Sequence, residues 1–118
     1  MRFKDDSDAQ DYRNITGPYS GEANLLLRQF AEMLDKVSRV TGHEEITITS
    51  YVRNDNIRSL HYYGRALDIR VFDKPESWYH AMADVGAAMA LLNPRFRMNP
   101  HPELFRKEQQ HIHIEIRD

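Results

Sequence analysis

Cysteine is absent from the chain, which excludes a disulfide framework, a Cys-rich zinc finger and a thiol nucleophile together. Any metal must then be held by His, Asp or Glu. A basic excess is also missing. Sixteen Lys and Arg stand against 18 Asp and Glu, for a formal charge of -2, so no broad positive field announces nucleic acid or anionic lipid as a partner. No apolar run is long enough to span a membrane. Residues 1–8 (MRFKDDSD) lack the apolar core of a secretory signal, so the chain as written is expected to begin in the cytoplasm. Internal repeats and low-complexity stretches are absent too. Recognition must therefore come from a local site.

What remains is 118 residues, 29% charged, with one Trp, six Tyr and five Phe to anchor a core. That suits a single domain, 1–118, with one functional surface, expected to act as a monomer. Residues 1–19 are polar, carry Gly17 and Pro18 and show no sustained periodicity; they read as an N-terminal arm that packs along the domain or frays. From Ser20 to Val40, Leu26, Phe30, Met33, Leu34 and Val37 recur at helical spacing, and Thr41 and Gly42 close the helix. Residues 46–52 (ITITSYV) predict a strand with Ile46 and Ile48 facing the core, and residues 66–72 (ALDIRVF) a second strand paired with it.

Asp73 as N-cap and Pro75 at the entry introduce a second helix, whose stripe is Trp78, Met82, Val85, Met89 and Leu92 and whose stop is Asn93 and Pro94. One short strand is expected near Phe96 to Met98. The final HIHIEI, His111 to Ile116, alternates without a break, with Ile112, Ile114 and Ile116 on one face and His111, His113 and Glu115 on the other. The fold expected is α+β, a small, mostly antiparallel sheet packed with two main helices.

Chemistry concentrates in two places. In SLHYYGRALD, Ser59 to Asp68, His61 and Asp68 bracket Gly64, which lets the chain turn so that both side chains can converge. With one His of the terminal strand they supply two nitrogens and one oxygen, a donor set suited to zinc with a fourth position open for water. His43, His80 and His101 stand in no such pattern and are read as surface residues.

These two segments resemble the zinc-site motifs of the zinc D-alanyl-D-alanine peptidase and hedgehog superfamily. Its pattern S-x-H-x-x-G-x-A-x-D is matched at Ser59, His61, Gly64, Ala66 and Asp68, and its second motif by the terminal His111-Ile112-His113. Ser50 to Arg53 (SYVR) is similar to the S-x-x-R segment of the peptidase branch, so the resemblance covers residues 20–118. It implies a hedgehog and D-alanyl-D-alanine peptidase-like fold and Zn2+ held by His61, Asp68 and His113. It also implies that His111 stands beside the metal to bind substrate oxygen, and that Arg53 holds a substrate carboxylate. Ser59 and Tyr62 flank the first ligand and are expected to line the substrate cleft, though packing would equally explain Tyr62. Arg65 is expected to brace the loop.

The function so implied is metal-assisted hydrolysis of peptidoglycan stem peptides beside a D-amino acid, as a carboxypeptidase or an endolysin-type endopeptidase of the kind phages encode. A base for the water is still needed. Where the peptidase branch carries an acid three positions before its last ligand, this chain has Gln110; where the hedgehog branch carries Glu, it has Lys107. Glu108 is therefore the first candidate for general base and Glu103 the second, while Glu115 is expected to orient a ligand. The alternative is a zinc-containing binding module of the same fold without turnover.

Overall fold

The computed structural model describes residues 1–71, 73–99 and 111–118. It is an α+β fold, as the periodicities predict. In chain order the elements are β1 (Arg2–Phe3), α1 (Asp6–Arg13), α2 (Glu22–Val40), β2 (Thr47–Ser50), a 3-10 turn (Leu60–Tyr63), β3 (Ala66–Arg70), α3 (Glu76–Leu92), β4 (Phe96–Asn99) and β5 (His111–Ile116). The strands form one sheet in the order β1-β2-β3-β5-β4. Only β1 runs parallel to its neighbour; the other pairings are antiparallel.

Register explains which face becomes core. Ile48 pairs with Ile69, Ile69 with Ile112, Leu67 with Ile114 and Phe96 with Ile116, and all of these side chains are buried. They form the floor on which Leu27, Ala31 and Leu34 of α2 and Trp78, Met82 and Met89 of α3 pack. Each large apolar side chain so buried contributes roughly 1.5–3 kcal/mol. Because strand side chains alternate, the partners in between must emerge on the opposite face. Those partners are Ala66 with Glu115, Asp68 with His113, and Arg70 with His111.

The segment read as an N-terminal arm does lie along the domain, but as β1 and α1. Arg2 and Lys4 donate backbone N–H groups to the carbonyls of Ile46 and Ile48, and Asp5 caps α1 by accepting from the Ser7 amide at 2.8 Å. Tyr12 then anchors the helix, its ring 5.1 Å from Phe3 and 5.8 Å from Tyr51. A helix this short buries only Asp8, Ala9 and Tyr12, too few positions to register as periodicity.

Several details depart from the expected pattern. Met33 and Leu92, expected in the helix stripes, are exposed, whereas Tyr79, Ala83 and Gly86 are buried. Pro75, not Asp73, caps α3. Strands β2 and β3 are shorter than the apolar runs that announced them, and Phe72 lies outside the described residues. Among the described residues no helix is long and apolar enough to cross a membrane.

Candidate metal centre

The first candidate ligand, His61, is positioned by a capped turn. Ser59 accepts the His61 amide on its Oγ at 3.2 Å and so caps the 3-10 turn that carries His61. Gly64 ends that turn at φ 64°, a left-handed conformation that favours glycine. A Cβ added there would lie 2.8 Å from Cδ1 of Tyr19, so no side chain fits. Asn24 of α2 ties the turn down by donating from Nδ2 to the carbonyls of Tyr63 and Gly64, both at 2.8 Å. The fixed spacing from Ser59 to Asp68 is thus a cap, a ligand, a left-handed exit and a strand entry in succession.

Asp68 and His113 meet differently, as directly opposed residues of β3 and β5. Asp68 Oδ1 lies 2.9 Å from His113 Nδ1 and 3.3 Å from His61 Nε2. The two imidazoles stand 5.1 Å apart between ring centroids at 63°. One ligand atom from each of the three side chains falls within 4.8 Å of the others, and this group can hold a metal ion.

Hydrogen bonding sets the tautomers. His61 Nδ1 is 2.7 Å from the Tyr51 carbonyl; an oxygen of that kind only accepts, so Nδ1 must carry the proton. Nε2 is then the nitrogen turned toward Asp68. It is buried, and its polar neighbour among the described residues is Asp68 Oδ1 at 3.3 Å, which meets it without hydrogen-bond geometry. His113 Nε2 is 2.8 Å from Glu115 Oε1, and Glu115 is itself gripped by Arg117 at 2.6 Å. Glu115 therefore orients His113, as expected, in the manner of carboxylates that support metal-bound histidines.

The charges are strongly coupled. Burial acts to push the Asp68 carboxyl up, but the hydrogen bond from His113 and the His61 imidazole outweigh it and hold the group well below the usual carboxylate range. Burial would lower His113, yet its hydrogen bonds to Asp68 and Glu115 raise it. Glu115 is lowered despite burial, by Arg117 and His113.

The other predicted residues are placed as follows. His111 is exposed, on the ligand face of β5 and opposite Arg70. Arg53 is exposed, and its backbone amide donates to the His61 carbonyl at 3.3 Å, which holds it beside the ligand turn. Tyr62 is half-buried and packs edge-on against Tyr63 at 5.0 Å. Arg65 braces the loop through Asp118 at 2.9 Å. His80 pairs with Glu76 on its own helix, and His43 is half-buried. Glu103, Lys107, Glu108, Gln110 and His101 lie outside the described residues.

Two neighbours were not evident beforehand. Asn99 of β4 stands opposite His113 and Arg97 opposite Glu115; Ser50, the first residue of the SYVR segment, is brought opposite Asp68 by a register shift in β2. Only strand pairing reveals them. Beside His113 a pocket of about 400 Å³ opens, lined by Arg58, Ser59, Leu60, His113, Glu115, Arg117 and Asp118. It offers one imidazole, two carboxylates and two guanidinium groups to a ligand next to the His61, Asp68 and His113 cluster.

Comparison of the chain with protein-family models, with curated proteins and with solved structures returns no match.

Proposed function

We propose that the chain is a zinc-dependent peptidase of the zinc D-alanyl-D-alanine peptidase and hedgehog superfamily, acting on peptidoglycan stem peptides. The observation that carries this reading is the convergence of His61, Asp68 and His113 on one point, with the buried Nε2 of His61 turned toward Asp68 Oδ1 at 3.3 Å. Zinc suits the set, since two imidazole nitrogens and one carboxylate oxygen are donors that zinc accepts, and the three would hold it from within 4.8 Å of one another.

Bound zinc would supply a polarised carbonyl and a water whose pKa is brought to roughly 7. The chain's own residues do the rest. Glu115 keeps the Nε2 proton of His113 and so turns Nδ1 toward the metal position. His111, exposed on the same face, is the proposed donor to the oxygen that becomes negatively charged. Arg53, next to the His61 turn through its backbone, and Arg58, which lines the pocket, are the proposed cations for a substrate carboxylate, a task that suits a planar, permanently charged group. Glu108 is the proposed general base and Glu103 the second candidate.

A second reading, a zinc-holding module without turnover, is favoured by one observation. Asp68 and Glu115 are both committed to histidines, and Asp118 of the adjoining pocket is paired with Arg65, so none of the described carboxylates beside the cluster is free to take a proton from water. Purified protein loaded with zinc and incubated with muropeptides separates the two by mass spectrometry. The peptidase reading expects new fragments that the His61→Ala variant fails to produce, and Glu108→Gln to retain zinc while losing turnover. Intact muropeptides with fully metallated protein would establish the binding module.

A further inference from the structure

Asp8 lies on α1, far from both ligand motifs in sequence, and is buried. Its carboxylate accepts two backbone amides, Tyr51 N–H on Oδ2 and Val52 N–H on Oδ1, each at 3.1 Å. The Val52 N–H belongs to the same peptide group as the Tyr51 carbonyl. That carbonyl accepts the Nδ1 proton of His61 at 2.7 Å. Carboxylate, peptide group and imidazole thus form one hydrogen-bonded series that ends at His61 Nε2, the nitrogen turned toward Asp68.

We propose that Asp8 is a positioning residue for the metal centre, acting on His61 through the Tyr51–Val52 peptide group. An amide whose N–H donates to a carboxylate carries more negative charge on its carbonyl oxygen, because hydrogen bonds in series polarise one another. That oxygen then pulls harder on the Nδ1 proton, fixes the ring and makes Nε2 a better electron donor. Histidines that bind metals commonly receive this help from a carboxylate in direct contact; here a peptide group is interposed. His113 has the direct form through Glu115, so each imidazole has its own carboxylate. The inference rests on His61 being a metal ligand.

The test compares zinc affinity by calorimetry in wild type, Asp8→Asn and Asp35→Asn. Asparagine offers one accepting oxygen to two amide donors and no charge, so Asp8→Asn should bind zinc about tenfold more weakly. Asp35 is an equally buried carboxylate that accepts a backbone amide, that of Ile46 at 2.9 Å, away from the ligands. Its variant should lose stability but keep its zinc affinity. Packing of Tyr12 on Phe3 and Tyr51 holds α1 in place without Asp8.

If Asp8→Asn nevertheless fails to fold, the wild type answers by NMR: zinc should move the Val52 amide proton downfield more than that of Ile46. Equal zinc affinity of folded Asp8→Asn and wild type, equal weakening by Asp35→Asn, or an unmoved Val52 amide each overturns the inference alone. Wild type that binds no zinc overturns the metal reading and the inference with it.

Discussion

Asp68 and His113 face each other across β3 and β5 with Oδ1 and Nδ1 2.9 Å apart, so the pairing that builds the sheet also builds two-thirds of the ligand set. His61 needs its own device, the turn capped by Ser59 and closed by Gly64.

Metal binding should appear as stability. At a free zinc concentration a hundredfold above Kd, the native state gains about 2.7 kcal/mol over the chelated protein. His61→Ala and Asp68→Ala should each abolish that difference, read as the melting temperature with zinc minus that with chelator. Referring each variant to its own chelated form removes the cost of the substitution itself. A zinc-dependent rise that survives in both would place the ion elsewhere.

Acidity should act in opposite directions with and without metal. The folded pKa of His113 is raised; without metal, its contribution to stability is fully present below the unfolded value of about 6.5 and is lost as pH climbs through the folded value. Asp68 is lowered, and its contribution is present above about 3.9 and lost on acidification. Chelated protein should therefore be favoured by these groups between about pH 4 and 6.5. Zinc competes with the proton on His113 Nδ1, so as pH drops from above the folded value of His113 toward about 6.5, zinc affinity should fall while the stability of the chelated protein rises. Urea titrations of chelated protein, set beside zinc titrations across pH, check both slopes; parallel slopes would contradict the assignment.

Gly64→Ala should lower stability by about 1–3 kcal/mol, since φ is 64° and the new Cβ would meet Tyr19 at 2.8 Å. It should also weaken zinc binding, because the turn carries His61. Gly42→Ala has a positive φ as well, 86°, but nothing within 4 Å of its Cβ, so it should lose stability and leave zinc affinity alone. Equal zinc affinities for the two variants would detach the turn from the ligand.

Glu115→Gln keeps an oxygen for His113 Nε2 but removes the charge that Arg117 also grips. Zinc affinity should fall about tenfold with the fold retained, measured by calorimetry and circular dichroism. Unchanged affinity would reduce Glu115 to a surface ion pair.

The parts legible beforehand were those whose signal is local. Alternation in HIHIEI announced both faces of β5, and the spacing of Ser59, His61, Gly64 and Asp68 encodes a cap, a turn and a strand entry that need no distant partner to be recognised. Helix α2 misled because its inner face is partly polar. Asn24, Asp35 and Ser38 are buried there, satisfied by the Gly64 carbonyl, the Ile46 amide and the Trp78 indole N–H, while Met33 points outward. Hydropathy ranks those residues the wrong way round, since hydrogen bonds offset the cost of burial. Asp8, Asn99 and Arg97 were hidden for another reason: each reaches the site region only through a long-range pairing or backbone contact.

The strand contributed latest in chain order, β5, lies between β3 and β4 and not at a sheet edge. During synthesis, the earlier strands must therefore wait with an open slot between them, and closing it requires contacts across a long stretch of chain. A nascent polypeptide has two of the three metal-holding side chains well before it has the third. A product terminated before His111 would lack both the inner strand of the sheet and the third donor of the cluster.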